Sequence, residues 1–85
     1  MAFNEYDVVR LTKDVPLDRV DRSASDTRQP VVGDVGTVLI VHVVPPGAES
    51  AYIVECVDAS GATTWMADVL QSELVLVQQG DASAA

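Results

Sequence analysis

The segment 51–67 limits the possible folds of this chain more than any other part of the sequence. Its first half alternates, so that Tyr52, Val54 and Cys56 share one face, as they do in a β-strand. The four residues from Asp58 to Gly61 place Asp first and Gly fourth, which is typical of a type I turn. A second extended run follows the turn. The segment therefore predicts a β-hairpin.

Three further runs have strand character. Val dominates the apolar residues, and its β-branch favours strands. We expect strands over residues 6–11, 37–44 and 74–77, a corner at 33–36 and a short helical turn of the 3-10 kind within 68–74. Five short strands without a long helix predict a mainly β fold. Closing them into a small barrel would remove the unpaired edges.

The run 37–44 is apolar on both of its faces. Strict alternation places Val38, Ile40 and His42 on one face. Such a strand either bends sharply to serve two sides of a barrel or has one face covered by a partner. Gly36, near its start, predicts a bulge or a close approach of another backbone.

Two segments lack strand character. Residues 18–29 are rich in Ser, Asp and Arg and predict an exposed, mobile loop, although residues 17–23 have the composition of one helical turn. Residues 78–85 are small and polar and predict a frayed tail. At 85 residues the chain is expected to form one domain, over residues 1–77.

The charge of the chain bears on its partners. The formal net charge is −8, with five basic residues in all. Nucleic-acid binding usually needs a basic face, so we expect no nucleic-acid partner. The charge favours a basic partner or serves solubility alone. No apolar run is long enough for a membrane span and no signal-peptide pattern opens the sequence, which predicts a cytoplasmic protein.

Catalytic and metal-binding chemistry is not expected. Cys56 and His42 are the only Cys and His, and a metal site needs three or four ligands. Cys56 is in register with Tyr52 and Val54 and is expected in the core, and His42 is expected at the rim of the sheet. No spacing isolates two carboxylates in an apolar setting. We therefore predict no catalytic residue, cofactor, metal or small-molecule substrate.

Trp65 has two alternative positions. A single Trp on a hairpin strand is either part of the core or an anchor for a partner, since Trp is common at interface hot spots. We take both alternatives forward. The candidate partner-binding residues are Trp65, His42, Arg28 and Tyr52.

Four segments in order carry a resemblance. They are YDVVRLTKDVP from Tyr6, VGDVGTVLIVH from Val32, AYIVECVDASG from Ala51 and ELVLV from Glu73. Together they resemble a family of short bacterial proteins catalogued as domain of unknown function 4926, which implies an SH3-like barrel without an established role. The stretch 18–29 is longer than the corresponding link in the family, and Trp65 stands where a smaller aliphatic residue is expected.

Two more distant similarities suggest alternatives. The residues 27–30, Thr-Arg-Gln-Pro, are similar to a segment in the SH3-like domain of the nitrile hydratase β subunit, which implies an accessory subunit of a metalloenzyme. The Gly-x-Val turn is similar to that of RNA-binding barrels of the KOW type, which the charge disfavours. The leading expectation is a non-catalytic protein-binding module, antitoxin-like, immunity-like or regulatory, that binds another protein or a second copy of itself.

Overall fold

The computed structural model describes residues 2–22 and 27–80. The chain forms five strands and two short 3-10 turns. They are β1 (Val8–Leu11), a 3-10 turn (Leu17–Arg19), β2 (Val35–Val41), β3 (Ala51–Val57), β4 (Thr63–Leu70), a second 3-10 turn (Gln71–Glu73) and β5 (Leu74–Gln78).

The five strands form one antiparallel sheet in the order β4-β3-β2-β1-β5. The predicted mainly β fold, with a 3-10 turn directly before the last strand, is confirmed. β4 and β5 are the two edges of the sheet. No helix within the described ranges covers either face, yet one face is almost completely buried. One buried face over five antiparallel strands is compatible with the predicted SH3-like barrel.

The core comes from the inward positions of all five strands. On β3 and β4 buried residues alternate with more exposed ones, as the period of a strand requires. The core includes Trp65, Tyr52 and the predicted buried cysteine, Cys56. Val15 and Val20, from the long connection between β1 and β2, complete it.

The middle of β2 differs from the prediction. Val38 pairs with Val54 and Ile40 pairs with Ile53, so Leu39 is an extra residue in a bulge. The bulge turns Ile40 outward, and its side chain is 53% exposed while Val38 is buried. The prediction that Val38 and Ile40 share one face is therefore wrong. The strand also ends at Val41 rather than at residue 44.

Gly61 and Gly36 lie at positions that require glycine for different structural reasons. Gly61 closes the predicted hairpin turn: its N–H donates to the carbonyl of Asp58 at 3.0 Å, and its φ of +88° is rare for other residues. Gly36 lies where another backbone approaches, since a Cβ there would be 2.8 Å from the carbonyl oxygen of Glu55. The close approach predicted at Gly36 is confirmed, whereas the bulge lies three residues further along.

Two element boundaries also shift. β1 begins at Val8 because residues 4–7 form a turn, in which the N–H of Asp7 donates to the carbonyl of Asn4 at 3.1 Å. β4 extends to Leu70, beyond the predicted hairpin segment 51–67, and the helical turn predicted within 68–74 is the 3-10 turn Gln71–Glu73. Part of the predicted tail, residues 81–85, lies outside the described residues. No helix in the described parts is both long and apolar enough to cross a membrane.

Candidate functional site

Trp65 lies at the centre of the core. Its side chain has no solvent exposure, and its indole Nε1 donates to the Asp34 carboxylate at 2.9 Å. The structure thus shows the core alternative. This corrects the expectation of an exposed aromatic anchor, because an inward position on β4 leaves the indole unavailable to a partner.

Tyr52 is also withdrawn from the surface. Its ring is fully buried against Phe3 in an edge-on contact, with ring centroids 5.5 Å apart. Its hydroxyl donates to the side chain of Gln71 and accepts from the N–H of Phe3. The prediction that Tyr52 binds a partner is therefore corrected as well. Both its ring and its hydroxyl contact residues inside the fold.

Arg28 is held by Asp34. Its guanidinium donates to both carboxylate oxygens, at 2.7 and 3.2 Å. Partial burial works to raise the pKa of Asp34, but hydrogen bonds from Arg28, the N–H of Val31 and Trp65 outweigh it and leave the pKa below its ordinary value. Asp34 therefore joins the loop before β2 to the core through one carboxylate.

The outer edge of β4 is covered by the connection between β1 and β2. Three alternate carbonyls of β4 accept hydrogen bonds from it. Thr64 accepts from the N–H of Arg28 at 3.1 Å, Met66 from the N–H of Asp21 at 2.7 Å and Asp68 from the guanidinium of Arg19 at 3.4 Å. The described ends of the predicted mobile loop 18–29 thus lie along the sheet; residues 23–26 are outside the described part.

A second ion pair fastens the same connection. Arg19 donates to both carboxylate oxygens of Glu73, at 2.9 and 2.8 Å, and Glu73 also accepts from the N–H of Leu70. Hydrogen bonds from Arg19 lower the pKa of Glu73, against the opposing effect of partial burial. Glu73 is buried, so this pair fixes the first 3-10 turn to the second.

His42 lies at the rim of the sheet, as predicted, just beyond β2. Its Nε2 is 2.6 Å from Oδ1 of Asp68 on β4, across the outer face of β3. Asp68 also lines a cleft of about 200 Å³ between the 3-10 turn Leu17–Arg19 and the outer face of β3 and β4. The floor of this cleft is apolar and its rim is mainly acidic. The residues that line it include Ile53, Met66, Asp18, Arg19, Asp21 and Asp68.

The outer edge of β5 is different. Val75, Leu76 and Val77 are 44%, 51% and 44% exposed. Consecutive strand residues point to opposite faces, so exposure of three in a row means that both faces of β5 are open at this edge. In the described ranges β1 is the only strand neighbour of β5. An uncovered apolar edge strand is a template for pairing with another chain.

The described residues, 2–22 and 27–80, show no cluster of side chains suited to a metal ion. No three His, Cys, Asp or Glu side chains in these ranges are grouped so that they could hold a metal ion. Cys56 is buried in the core and is separate from His42, whose described partner is a carboxylate.

A family model described as a domain of unknown function, DUF4926, matches residues 5–76, which is more than four fifths of the chain. The chain belongs to the DUF4926 family. The resemblance drawn from four short segments of its sequence is therefore confirmed. No curated protein and no solved structure matches this DUF4926 chain. The similarity to the nitrile hydratase β subunit stays a prediction.

Sequence reasoning missed both candidate surfaces, the cleft and the β5 edge. Of the four residues it selected, Trp65 and Tyr52 are buried, and Arg28 and His42 contact Asp34 and Asp68. The ELVLV segment before the polar tail carried a signal for the β5 edge, since three of its consecutive apolar residues precede Gln78 without a charge. The cleft had no such signal, because Ile53 and Asp18 come together only when the connection docks on β4.

Proposed function

We propose that this chain is a non-catalytic protein-binding module that recognises a basic segment of a partner protein. The observation that supports the proposal is the cleft beside β4. Its floor, Ile53 and Met66, suits the aliphatic part of a Lys or Arg side chain. Its rim carries the exposed carboxylate of Asp18, which suits the charged end of such a side chain, and that of Asp68, whose Oδ1 contacts His42.

The charges around the cleft favour the same partner. Arg19, the one cation that lines it, is already bound to Glu73. The chain as a whole has a net charge of −8, so its field attracts a basic segment and speeds its encounter. Exposed carboxylates contribute little affinity one at a time, and we therefore expect weak, salt-dependent binding with most of the specificity in the shape of the cleft.

The test is a titration of the isotope-labelled chain with an unstructured probe peptide of alternating Lys and Gly, followed by NMR. We expect the amide signals of residues around Ile53, Met66 and Asp68 to shift. Asp18→Asn should weaken binding by up to about fivefold, in line with the strength of exposed ion pairs. Glu5→Gln removes the same charge far from the cleft and is the matched control.

The proposal fails in either of two outcomes. One is that the peptide shifts signals over the whole surface without a maximum at the cleft. The other is that Asp18→Asn and Glu5→Gln weaken binding equally, since only the net charge would then matter. A probe in which Glu replaces Lys should not bind.

A further inference from the structure

The outer edge of β5 is apolar and uncharged, and it therefore suits a different partner from the basic segment proposed for the cleft. From Leu74 to Gly80 the sequence contains no charged residue, in a chain with 18 charged side chains. Two copies of a chain with a net charge of −8 repel each other over most of their surface. An uncharged apolar edge is where they can approach without placing like charges opposite each other.

The two ends of β5 differ in charge. Its start lies beside Glu73, whose carbonyl accepts from the N–H of Thr12 at 2.9 Å, so Lys13 belongs to this end. Arg10 lies opposite Val75, next to the same end. Neither Lys13 nor Arg10 forms an ion pair within the described residues. The start of β5 is therefore flanked by two cations, of which Lys13 also interacts electrostatically with Glu73 and Glu49.

The other end of β5 is flanked by an anion. The N–H of Gly80 donates to the Asp7 carboxylate at 2.7 Å, which places the end of this segment at the turn of residues 4–7. Glu5 lies in that turn and is exposed. The β5 edge is thus flanked by positive charge at its start and by negative charge at its end.

We propose that the β5 edge pairs with the β5 edge of a second copy, antiparallel and about a two-fold axis near Leu76. In this arrangement Leu76 lies opposite its counterpart and Val75 lies opposite Val77 of the other copy, so the exposed apolar side chains cover one another. The start of one β5 meets the finish of the other, which brings Lys13 and Arg10 towards Glu5 of the second copy. A parallel pairing would bring like charges together.

The pairing also satisfies the backbone. An edge strand presents unpaired N–H and C=O groups along its outer side, and an antiparallel neighbour bonds to them. The joined sheet would then run continuously through both copies. This inference rests on β5 and does not depend on the cleft, which lies beside the opposite edge of the sheet and stays open in the pair.

The test is sedimentation velocity of the full chain over a range of concentrations. We expect a species of twice the 9.0 kDa chain mass. Val77→Lys places a charge on the exposed edge and should weaken association at least tenfold. Val43→Lys makes the same change at a fully exposed position outside the strands and is the matched control. Circular dichroism checks that both variants keep the fold.

A charge exchange tests the antiparallel arrangement. Lys13→Glu and Glu5→Lys should each weaken association, and the double variant should restore it. The whole of β1 separates the two positions, which is more than about 13 Å, so within one copy they do not pair and the rescue must come from the second copy.

Three results would overturn the inference. The first is a wild-type chain that stays monomeric at millimolar concentration. The second is equal association of Val77→Lys and Val43→Lys. The third is a chain that becomes dimeric only when residues 81–85 are removed, which would make that segment the native occupant of the edge. The peptide titration at the cleft can succeed in all three cases, so failure here is distinct from failure of the proposed function.

Discussion

The two edge strands of this sheet, β4 and β5, differ in how their outer backbone groups are covered. The outer carbonyls of β4 are bonded to the connection between β1 and β2, which two carboxylates, Asp34 and Glu73, hold in place. β5 has no such cover within the described residues, and three consecutive apolar side chains are exposed there. Unpaired edges favour association unless they are covered or charged. Within the described residues, the chain covers the β4 edge of its sheet and leaves the β5 edge open.

The largest expected effect comes from removing Asp34. Asp34→Ala takes away the partner of Arg28 and leaves the buried Nε1 of Trp65 without an acceptor, and we expect a loss of about 3 kcal/mol in the free energy of unfolding. Asp34→Ala also frees the connection between β1 and β2 from the edge of β4, so that both edges of the sheet are open. Urea denaturation measures the loss of unfolding free energy. Light scattering measures the larger assemblies that form when the β4 edge is open.

The control for Asp34 is Asp34→Asn. Its amide oxygen can still accept from Trp65, so the loss should be smaller. If Asp34→Ala were as stable as wild type, the carboxylate would not be what holds the cover of β4.

A smaller effect is expected at Glu73. Glu73→Gln keeps an oxygen for the N–H of Leu70 but loses the charge that binds Arg19, at a cost of about 2 kcal/mol. Because it loosens only the first 3-10 turn, the β4 edge should open less than in Asp34→Ala. Glu5→Gln, at an exposed position, should change stability by less than about 0.5 kcal/mol. Equal stabilities of the two Gln variants would contradict the role given to Glu73.

The most gradual effect is that of pH. The pKa of Glu73 and of Asp34 lies below the ordinary values of 4.5 and 3.8, so the unfolded chain binds protons first as the pH falls. The contribution of each carboxylate is complete above its ordinary pKa and is lost as the pH falls through the folded value. We expect unfolding free energy to decline below about pH 4.5, by at most about 1.4 kcal/mol per pH unit and carboxylate.

Glu73→Gln sharpens this prediction. It should reduce the acid dependence measured by denaturation between pH 5 and pH 3, and Glu5→Gln should not. An acid dependence that is unchanged in Glu73→Gln would mean that other carboxylates control the acid stability.

Most of the strands could be predicted from the sequence, but the candidate binding surfaces could not. Alternation fixed the inward faces of β3 and β4, and the Asp58 turn followed from local chemistry. The bulge at Leu39 was not predictable, since it depends on the pairing of β2 with β3 rather than on β2 alone. Trp65 could not be assigned for a related reason. Its Nε1 is satisfied by Asp34, 31 residues away, and only the docked connection makes a buried position possible.

The most direct measurement of the difference between the two edges is amide hydrogen exchange at several protein concentrations. The account predicts slow exchange of the Asp21 and Arg28 amides at every concentration, because both donate to β4 within one copy. The β5 amides that do not bond to β1 should exchange fast in dilute solution and slowly in concentrated solution, as β5 pairs with a second copy. Fast exchange at Asp21 and Arg28, or β5 exchange that does not change with concentration, would contradict it.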